Sequence, residues 1–491
     1  MDVPVIVVGA GPSGLVLAAE LRLGGVEVVV LDKLEKPSGE SRGLGFTARA
    51  VELFDQRGLL PAFGENLELA PIGHFGGIPM DYTQLEGAHF GARGIPQART
   101  EEVLIAWATG LGADIRRGWE VVGVTDDGEG VDVEAETPEG RRTLRARYLV
   151  ACDGGRSTVR KLVGFDFPGT PSTIEMYLAD VSGLDLPARH IGEKVPGGMI
   201  MNAPLGGGVE RIIAAERGNG PRERTGPPAY EEVAACWERL SGQSIAHGTA
   251  SWVSSFGDAT HQVTEYRKGN VLIAGDAAHT HLPAGGQGLS VSVQDSFNLG
   301  WKLAATVRGS APPELLDSYH AERHPVGRRL LMATRAQGML YLGGSEIEPL
   351  RDVFAELLEF PEAARHIIGM VSGFEVRYDV GAGTHPLLGS RVPAQDLVGT
   401  GGKTTTTELL HAGRGVLLDF TDHPDLRAVA APWSDRVDIV TALPHELSEE
   451  SPLAGVTAVL IRPDGYAAWV EPDGEGEALS SALNRWFGKP R

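Results

Sequence analysis

Three aspartates stand where short apolar runs meet glycine: Asp32 after Val26–Leu31, Asp153 in Cys152-Asp153-Gly154-Gly155, and Asp276 in Ala274-Gly275-Asp276. A fourth stretch, Gly9-Ala10-Gly11-Pro12-Ser13-Gly14, has the glycines without the acid. This is equipment for holding a ligand rather than for attacking one. Backbone N–H groups in a glycine turn cradle phosphate, and a carboxylate accepts hydrogen bonds from sugar hydroxyls. His279 and His281 lack a partner set with metal-ligand spacing, so no metal site is expected. Cys152 and Cys236, the two cysteines of the chain, form no C-x-x-C pair.

The elements that must carry these residues follow from periodicity. Val3–Val8 is β-branched and apolar, as a buried parallel strand requires, and Leu15–Leu23 reads as the helix after the turn. Gly9 allows the turn, Gly11 admits phosphate to the backbone, and Gly14 lets helix and strand pack. With Asp32 about twenty residues on, the set reads as a dinucleotide-binding unit. The motif alone leaves FAD and NAD open. Tyr148–Cys152 and Val271–Ala274 read as two further buried strands, placing Asp153 and Asp276 at strand ends where open α/β sheets bind ligands. Ser157 and Thr158 are helix-capping residues. Pro283-Ala284-Gly285-Gly286-Gln287-Gly288-Leu289 then opens a long helix through Val307, whose N-terminus can offset negative charge.

Elsewhere the chain departs from this pattern. Residues 71–94 are glycine-rich and irregular, and include Phe75. Glu120–Thr125 and Val131–Ala135 form a hairpin. Ile174–Val181, Gly198–Ala203, Val209–Ala215 and Thr249–Phe256 lack βαβ spacing and predict an antiparallel sheet, with Met176, Met199, Met201 and Trp252 along one face. Such a stripe is plain core unless it lies over a cofactor. Gly399–Thr404 resembles a P-loop, but its required first glycine falls at Leu397, so one nucleotide-binding turn is expected. A net charge of −21 argues against nucleic acid or an anionic membrane as partner. No apolar run reaches membrane-spanning length, the first strand starts almost at once after Met1, and the thiols are unpaired, so a cytoplasmic setting is expected.

Together, Gly9–Gly14, Cys152-Asp153-Gly154, Ala274-Gly275-Asp276 and Leu315-Leu316-Asp317-Ser318-Tyr319-His320-Ala321-Glu322-Arg323-His324-Pro325-Val326 resemble the single-component FAD-dependent aromatic hydroxylases, the class typified by para-hydroxybenzoate hydroxylase. Within it the Glu40–Phe46 loop, His74-Phe75-Gly76-Gly77 and the C-terminal part look most like the angucycline-type polyketide hydroxylases. The resemblance implies an α/β fold with a Rossmann-like FAD-binding domain (1–70, 95–173, 257–340) and an antiparallel-sheet substrate domain (71–94, 174–256). A helical connection (341–385) and a thioredoxin-like domain without redox cysteines (386–491) would follow, the last with a packing or oligomer role that allows a homodimer.

It also implies site roles. FAD would rest its ADP half on Gly9, Gly11, Pro12, Ser13 and Gly14, with ribose on Asp32 beside Lys33 and adenine near Val121. Arg42, Gln97 and Asp276 would serve the pyrophosphate and ribityl region, and Asp153 and Gly154 would hold FAD and shape the nicotinamide approach. Gly288, Leu289 and Ser290 would meet the pyrimidine edge, with Pro283, Gly285 and Gly286 near the ring. Phe75, Met176, Met199, Met201, Arg211 and Trp252 would contact substrate. The implied reaction is FAD- and NAD(P)H-dependent hydroxylation of a polycyclic aromatic polyketide by O₂ through a flavin C4a-hydroperoxide, with NADPH the favoured, transiently docked reductant. No side chain is assigned as catalytic, because the cofactor carries the step. One departure stands out: the class usually has Asn then Thr where this chain has Ser290 and Val291. Alternatives that keep the flavin are Baeyer–Villiger insertion and oxidation with dehydration; a non-catalytic flavin-binding protein is the reading from another class.

Overall fold

The structure is a computed structural model and describes residues 1–64, 69–85, 92–399, 401–472 and 476–490. Its largest sheet has eight strands. Along the main path the order is Arg267–Lys268, Val271–Ile273, Arg142–Ala151, Val3–Val8, Val28–Asp32 and Asp114–Arg117. The four strands from Val271–Ile273 to Val28–Asp32 run parallel, with Val8 level with both Leu31 and Ala151, and Ala151 level with Ile273. Their apolar side chains are buried on both faces, as a covered parallel sheet requires. The Glu120–Asp126 and Val131–Glu136 hairpin extends the sheet from Arg142–Ala151.

Two helices pack against each other over this sheet, Pro12–Leu23 and Gln287–Val307. The second is buried almost all round. Gly300 is what permits the close crossing, since a Cβ there would stand 2.3 Å from Glu20 Cβ.

The second sheet is antiparallel, five-stranded, and ordered Arg189–Val195, Gly198–Gly206, Val209–Glu216, Glu175–Ser182, Thr249–Gly257. One face, with Tyr177, Ala179, Ile200 and Ile212, packs on helix Tyr230–Ser241 through Trp237. Alternation then turns Met176, Met199, Met201, Arg211 and Trp252 to the opposite face. The third sheet has six strands, with a parallel pair, Gly415–Asp419 and Val437–Pro444, at its centre and the Ala458–Ile461/Ala467–Glu471 hairpin beside it. Its core includes Trp433, Trp469 and Trp486. This is the α/β, multi-sheet fold that the resemblance implies.

The structure adds elements that periodicity leaves out. Arg189–Val195 is an edge strand. The stretch at 71–94 contains a hairpin, Ile72–Phe75 with Ile78–Asp81, and a strand Ala92–Gly94 paired to Gly45–Phe46; residues 86–91 lie outside the described residues. The P-loop look-alike is a hairpin between Asp396–Gly399 and Gly402–Thr405, with Thr400 outside the described residues. Among the described residues no helix is long and apolar enough to cross a membrane.

Candidate active site

Because Val8, Leu31, Ala151 and Ile273 are level, the glycine turn, Asp32, Asp153 and Asp276 all emerge at one edge of the parallel sheet. The turn is held tightly. Gly9 has φ +104°, and a Cβ there would stand 2.3 Å from Cys152 O; one on Gly14 would stand 1.9 Å from Gly9 O. Gly11 differs: its backbone is extended (φ −82°, ψ −179°), and a Cβ would meet no heavy atom within 4 Å. Gly9 and Gly14 are therefore packing glycines, while Gly11 opens onto free space in front of the helix N-terminus. That is the cradle a pyrophosphate needs.

Asp32 holds the turn in place, accepting Ala10 N–H at 2.7 Å and Leu34 N–H at 2.8 Å, with Arg117 3.6 Å away. Carboxylate lone pairs remain for ribose hydroxyls. Lys33 beside it is exposed, and Val121 is buried two residues beyond Trp119, whose N–H donates to Asp32 O. Arg42 is exposed and forms no ion pair among the described residues. Gln97 accepts Gly43 N–H at 3.2 Å and donates to Glu101 at 2.8 Å.

Asp153 has a role the sequence reading did not anticipate. Its carboxylate accepts from the Ser157 hydroxyl, Thr158 N–H (2.7 Å) and Val159 N–H (3.1 Å), so it caps the Thr158–Val163 helix. Ser157 is the N-cap proper and accepts Arg160 N–H at 3.0 Å; Thr158 is the first helical residue. Arg160 was not singled out, yet its guanidinium donates to Ala277 O at 2.8 Å and Gly155 O at 2.9 Å, tying the two Gly/Asp loops together. Gly154 (φ +78°) opens onto empty space. Asp276 is exposed and accepts the Ser292 hydroxyl at 3.0 Å.

Beneath Asp276 lies a buried polar chain. Asp295 accepts Gly275 N–H at 3.1 Å and Arg323 Nε at 2.7 Å, and lies 3.0 Å from His279 Nε2. Burial alone would raise the Asp295 pKa, but Arg323 and His279 outweigh it and hold the group below the ordinary carboxylate range. Arg323 also donates to the Tyr378 hydroxyl at 2.9 Å. Its place in the Glu322-Arg323-His324-Pro325 motif was the only signal of this role.

At the start of the Gln287–Val307 helix, Gly285 (φ +70°) and Gly286 (φ +64°) are both left-handed, a loop that side chains with a Cβ rarely adopt. Pro283 and Gly286 are exposed, and Gly288 and Leu289 half-buried. Ser290 is fully buried, and its Oγ accepts Thr47 N–H at 2.9 Å. The residue that departs from the class pattern thus clamps the 39–47 loop to the helix start.

Facing this loop is the second sheet. Met176, Ala215, Leu282 and Ala284 form one apolar cluster, with Met199 and Phe256 against it. The methionine face therefore looks onto the Leu282–Gly286 loop. Arg211 is fully buried, paired to Asp180 through two hydrogen bonds (2.6 and 2.8 Å), bonded to Ser41 O, and 5.3 Å from the Trp252 ring. Phe75 sits apart, in a core with Leu340 and Ile368, its ring 5.3 Å from Phe354.

Sequence comparison decides what this arrangement is built for: residues 2–334 match the family model described as FAD binding domain, and residues 385–490 match aromatic-ring hydroxylase, C-terminal. The chain belongs to the FAD-binding-domain family. It is 42% identical to the 12-dehydrotetracycline 5-monooxygenase/anhydrotetracycline 6-monooxygenase of Streptomyces rimosus subsp. rimosus, over 100% of both chains. It superposes on CabE, an aromatic hydroxylase from angucycline biosynthesis, with a TM-score of 0.97 and 61% identity, again over 100% of both. It is also 36% identical to the dialkyldecalin synthase of Streptomyces rugosporus, over 99% of each chain. The residues present fit an FAD: an open Gly11 cradle and an exposed Asp276 at the same sheet edge, an exposed Arg42 with no ion pair among the described residues, and a two-glycine loop at a helix start.

Proposed function

We propose that the chain is an FAD- and NAD(P)H-dependent monooxygenase that hydroxylates a polycyclic aromatic polyketide of the angucyclinone type. The observation that carries this reading is the alignment of four strand ends below an apolar sheet face. One edge offers polar groups for a long nucleotide, and the opposing face offers methionines and Trp252 for a flat apolar ring. The kinship to CabE and to the tetracycline-pathway monooxygenase supports the substrate class.

The chain's own residues bind, orient and exclude. Gly11, Ser13 and Gly14 take the pyrophosphate on their N–H groups, with Arg42 as counter-charge. Asp32 takes ribose hydroxyls, with Lys33 alongside and adenine near Val121. Asp276, and Gln97 through the Gly43 loop, take the ribityl region. Asp153 acts through the Gly154 turn it fixes. Gly288 and Leu289 donate N–H groups to the pyrimidine edge, where the helix dipole offsets negative charge. FAD, when bound, supplies the reaction of reduced flavin with O₂ that delivers one oxygen atom. Met176, Met199 and Met201 keep water from that chamber, and Arg211, through Asp180 and Ser41, fixes the loop that closes it. The test is anaerobic flavin reduction by NADPH and NADH across a panel of angucyclinones, followed by product mass after air is admitted. Substrate-stimulated reduction and a gain of one oxygen support the reading. A product that has lost hydrogen without gaining oxygen, or no stimulation by any panel member, overturns it.

A further inference from the structure

On the far side of the Gln287–Val307 helix lies a second cavity of about 270 Å³. Gln287, Val291 and Gln294 face it, one stripe at i, i+4 and i+7, while Ser292 and Ser296 point the other way, to Asp276 and Ser13. The Ser318–Leu342 helix, through Pro325 and Leu330, and the 370–379 segment, through Met370 and Tyr378, complete the walls. None of Met176, Met199 and Met201 lines it.

Two features make it more than a packing gap. Gln294 is 4% exposed, and neither its Oε1 nor its Nε2 has a partner; Gln287 is equally buried, with Nε2 unpartnered. Buried amides are almost always hydrogen-bonded, so the two orphaned atoms of Gln294, whose Nε2 lies against the lining residue Gly373, call for a guest; the Gln287 amide nitrogen lies beside Gly285 and Gln337, which do not line the cavity. The charged groups of the lining are, by contrast, engaged. Glu322 is held by Arg462, Lys302 and Asn298. Arg329 pairs with Glu375, and Arg377 donates to the carbonyls of Leu388 and His385. Asp379, at the exposed mouth, would repel a phosphate.

We propose that this cavity is a second small-molecule site, taking a flat, neutral fused ring system that carries a cyclic amide edge, an N–H beside a C=O. A carboxamide presents an acceptor next to a donor, and a guest with the complementary pair is gripped at two points, as glutamine grips a base edge. Val291, Pro325, Leu330 and Met370 take the ring faces. A dry cavity of about 150 Å³ holds benzene, so 270 Å³ suits two fused rings. The absence of a free cation in this lining argues against a nucleotide.

The probe is isoquinolin-1(2H)-one, titrated into the flavin-loaded protein and followed by methionine-methyl NMR. Met370 reports this cavity, and Met199 and Met201 report the other chamber. The Met370 methyl should shift saturably. In Gln294→Leu its apparent affinity should fall about tenfold or more while any response at Met199 and Met201 is kept. Val326→Phe, which fills the space and spares both amides, should abolish the Met370 response and carries the test alone if Gln294→Leu fails to fold. An unmoved Met370 methyl at the solubility limit, an affinity indifferent to Gln294→Leu, or equal binding of adenosine 5′-monophosphate overturns the proposal. Loss of substrate-stimulated NAD(P)H consumption with the Met370 shift intact would count against the proposed reaction and leave this site standing.

Discussion

Gly11→Val should abolish flavin binding and leave the fold untouched, and the structure says why. Gly11 has extended backbone angles that valine adopts freely, and the space its Cβ would enter holds no heavy atom within 4 Å. The stability of the flavin-free protein should therefore change by no more than about 0.5 kcal/mol. The isopropyl group would stand where phosphate must approach the helix N-terminus. Losing two charge-assisted hydrogen bonds, at about 1.5–3 kcal/mol each, weakens FAD by about 3–6 kcal/mol. That is a dissociation constant raised by roughly 10²–10⁴. Gly14→Ala is the control of opposite sign: its Cβ would lie 1.9 Å from Gly9 O and 3.3 Å from Val7 Cγ1, so helix and strand must part and the apo-protein itself should lose cooperative unfolding. Fluorescence titration of each apo-protein with FAD, beside its thermal melt, separates the two. If Gly11→Val keeps wild-type flavin affinity, or melts as early as Gly14→Ala, the division of the turn into cradle and packing glycines is wrong.

Asp276→Ala should yield colourless protein with an unchanged apo melting temperature, because the carboxylate is exposed and accepts, among the described residues, a single side-chain hydrogen bond, from Ser292; yellow holoenzyme after gel filtration counts against the assignment. Arg462→Met should destabilise the chain by about 3–5 kcal/mol in denaturant melts, since it takes the guanidinium from buried Asp464 and leaves Glu322 with Lys302 as its cation; a loss below about 1 kcal/mol contradicts that role. Burial would raise the Glu322 pKa, but Arg462 and Lys302 outweigh it and hold the group at about 2, against 4.5 unperturbed. The unfolded chain then takes up the proton first, so this stabilisation is complete above about 4.5 and is lost as pH falls towards about 2. Glu322→Gln should flatten that acid limb in melts recorded against pH. Ser290→Ala should cost about 1–3 kcal/mol by orphaning Thr47 N–H, with no change in the flavin spectrum, because the hydroxyl faces the 39–47 loop.

What could be read from residues alone was whatever depends on near neighbours in the chain. Val3–Val8 and Tyr148–Ala151 are apolar runs closed by glycine, and buried parallel strands have no other composition. Arg189–Val195 hid because an edge strand with one paired side can carry Arg, His, Glu and Lys. Asp153 shows the limit at the site. Its position at a strand end pointed to ligand, yet the same five residues place Ser157 and two helix N–H groups within its reach, and the carboxylate caps them. The pairing of Glu322 with Arg462 spans 140 positions, and no periodicity marks it. Ser290 stood out only as a departure, and what it holds became visible with Thr47 beside it.

Turnover of an angucyclinone under ¹⁸O₂ with NADPH, read by mass spectrometry, reaches the centre of this account most directly. The flavin-loaded protein should place a single ¹⁸O atom in the product and none from solvent water, at a rate that Gly11→Val abolishes. Product that carries solvent oxygen, or turnover undiminished in Gly11→Val, would contradict it.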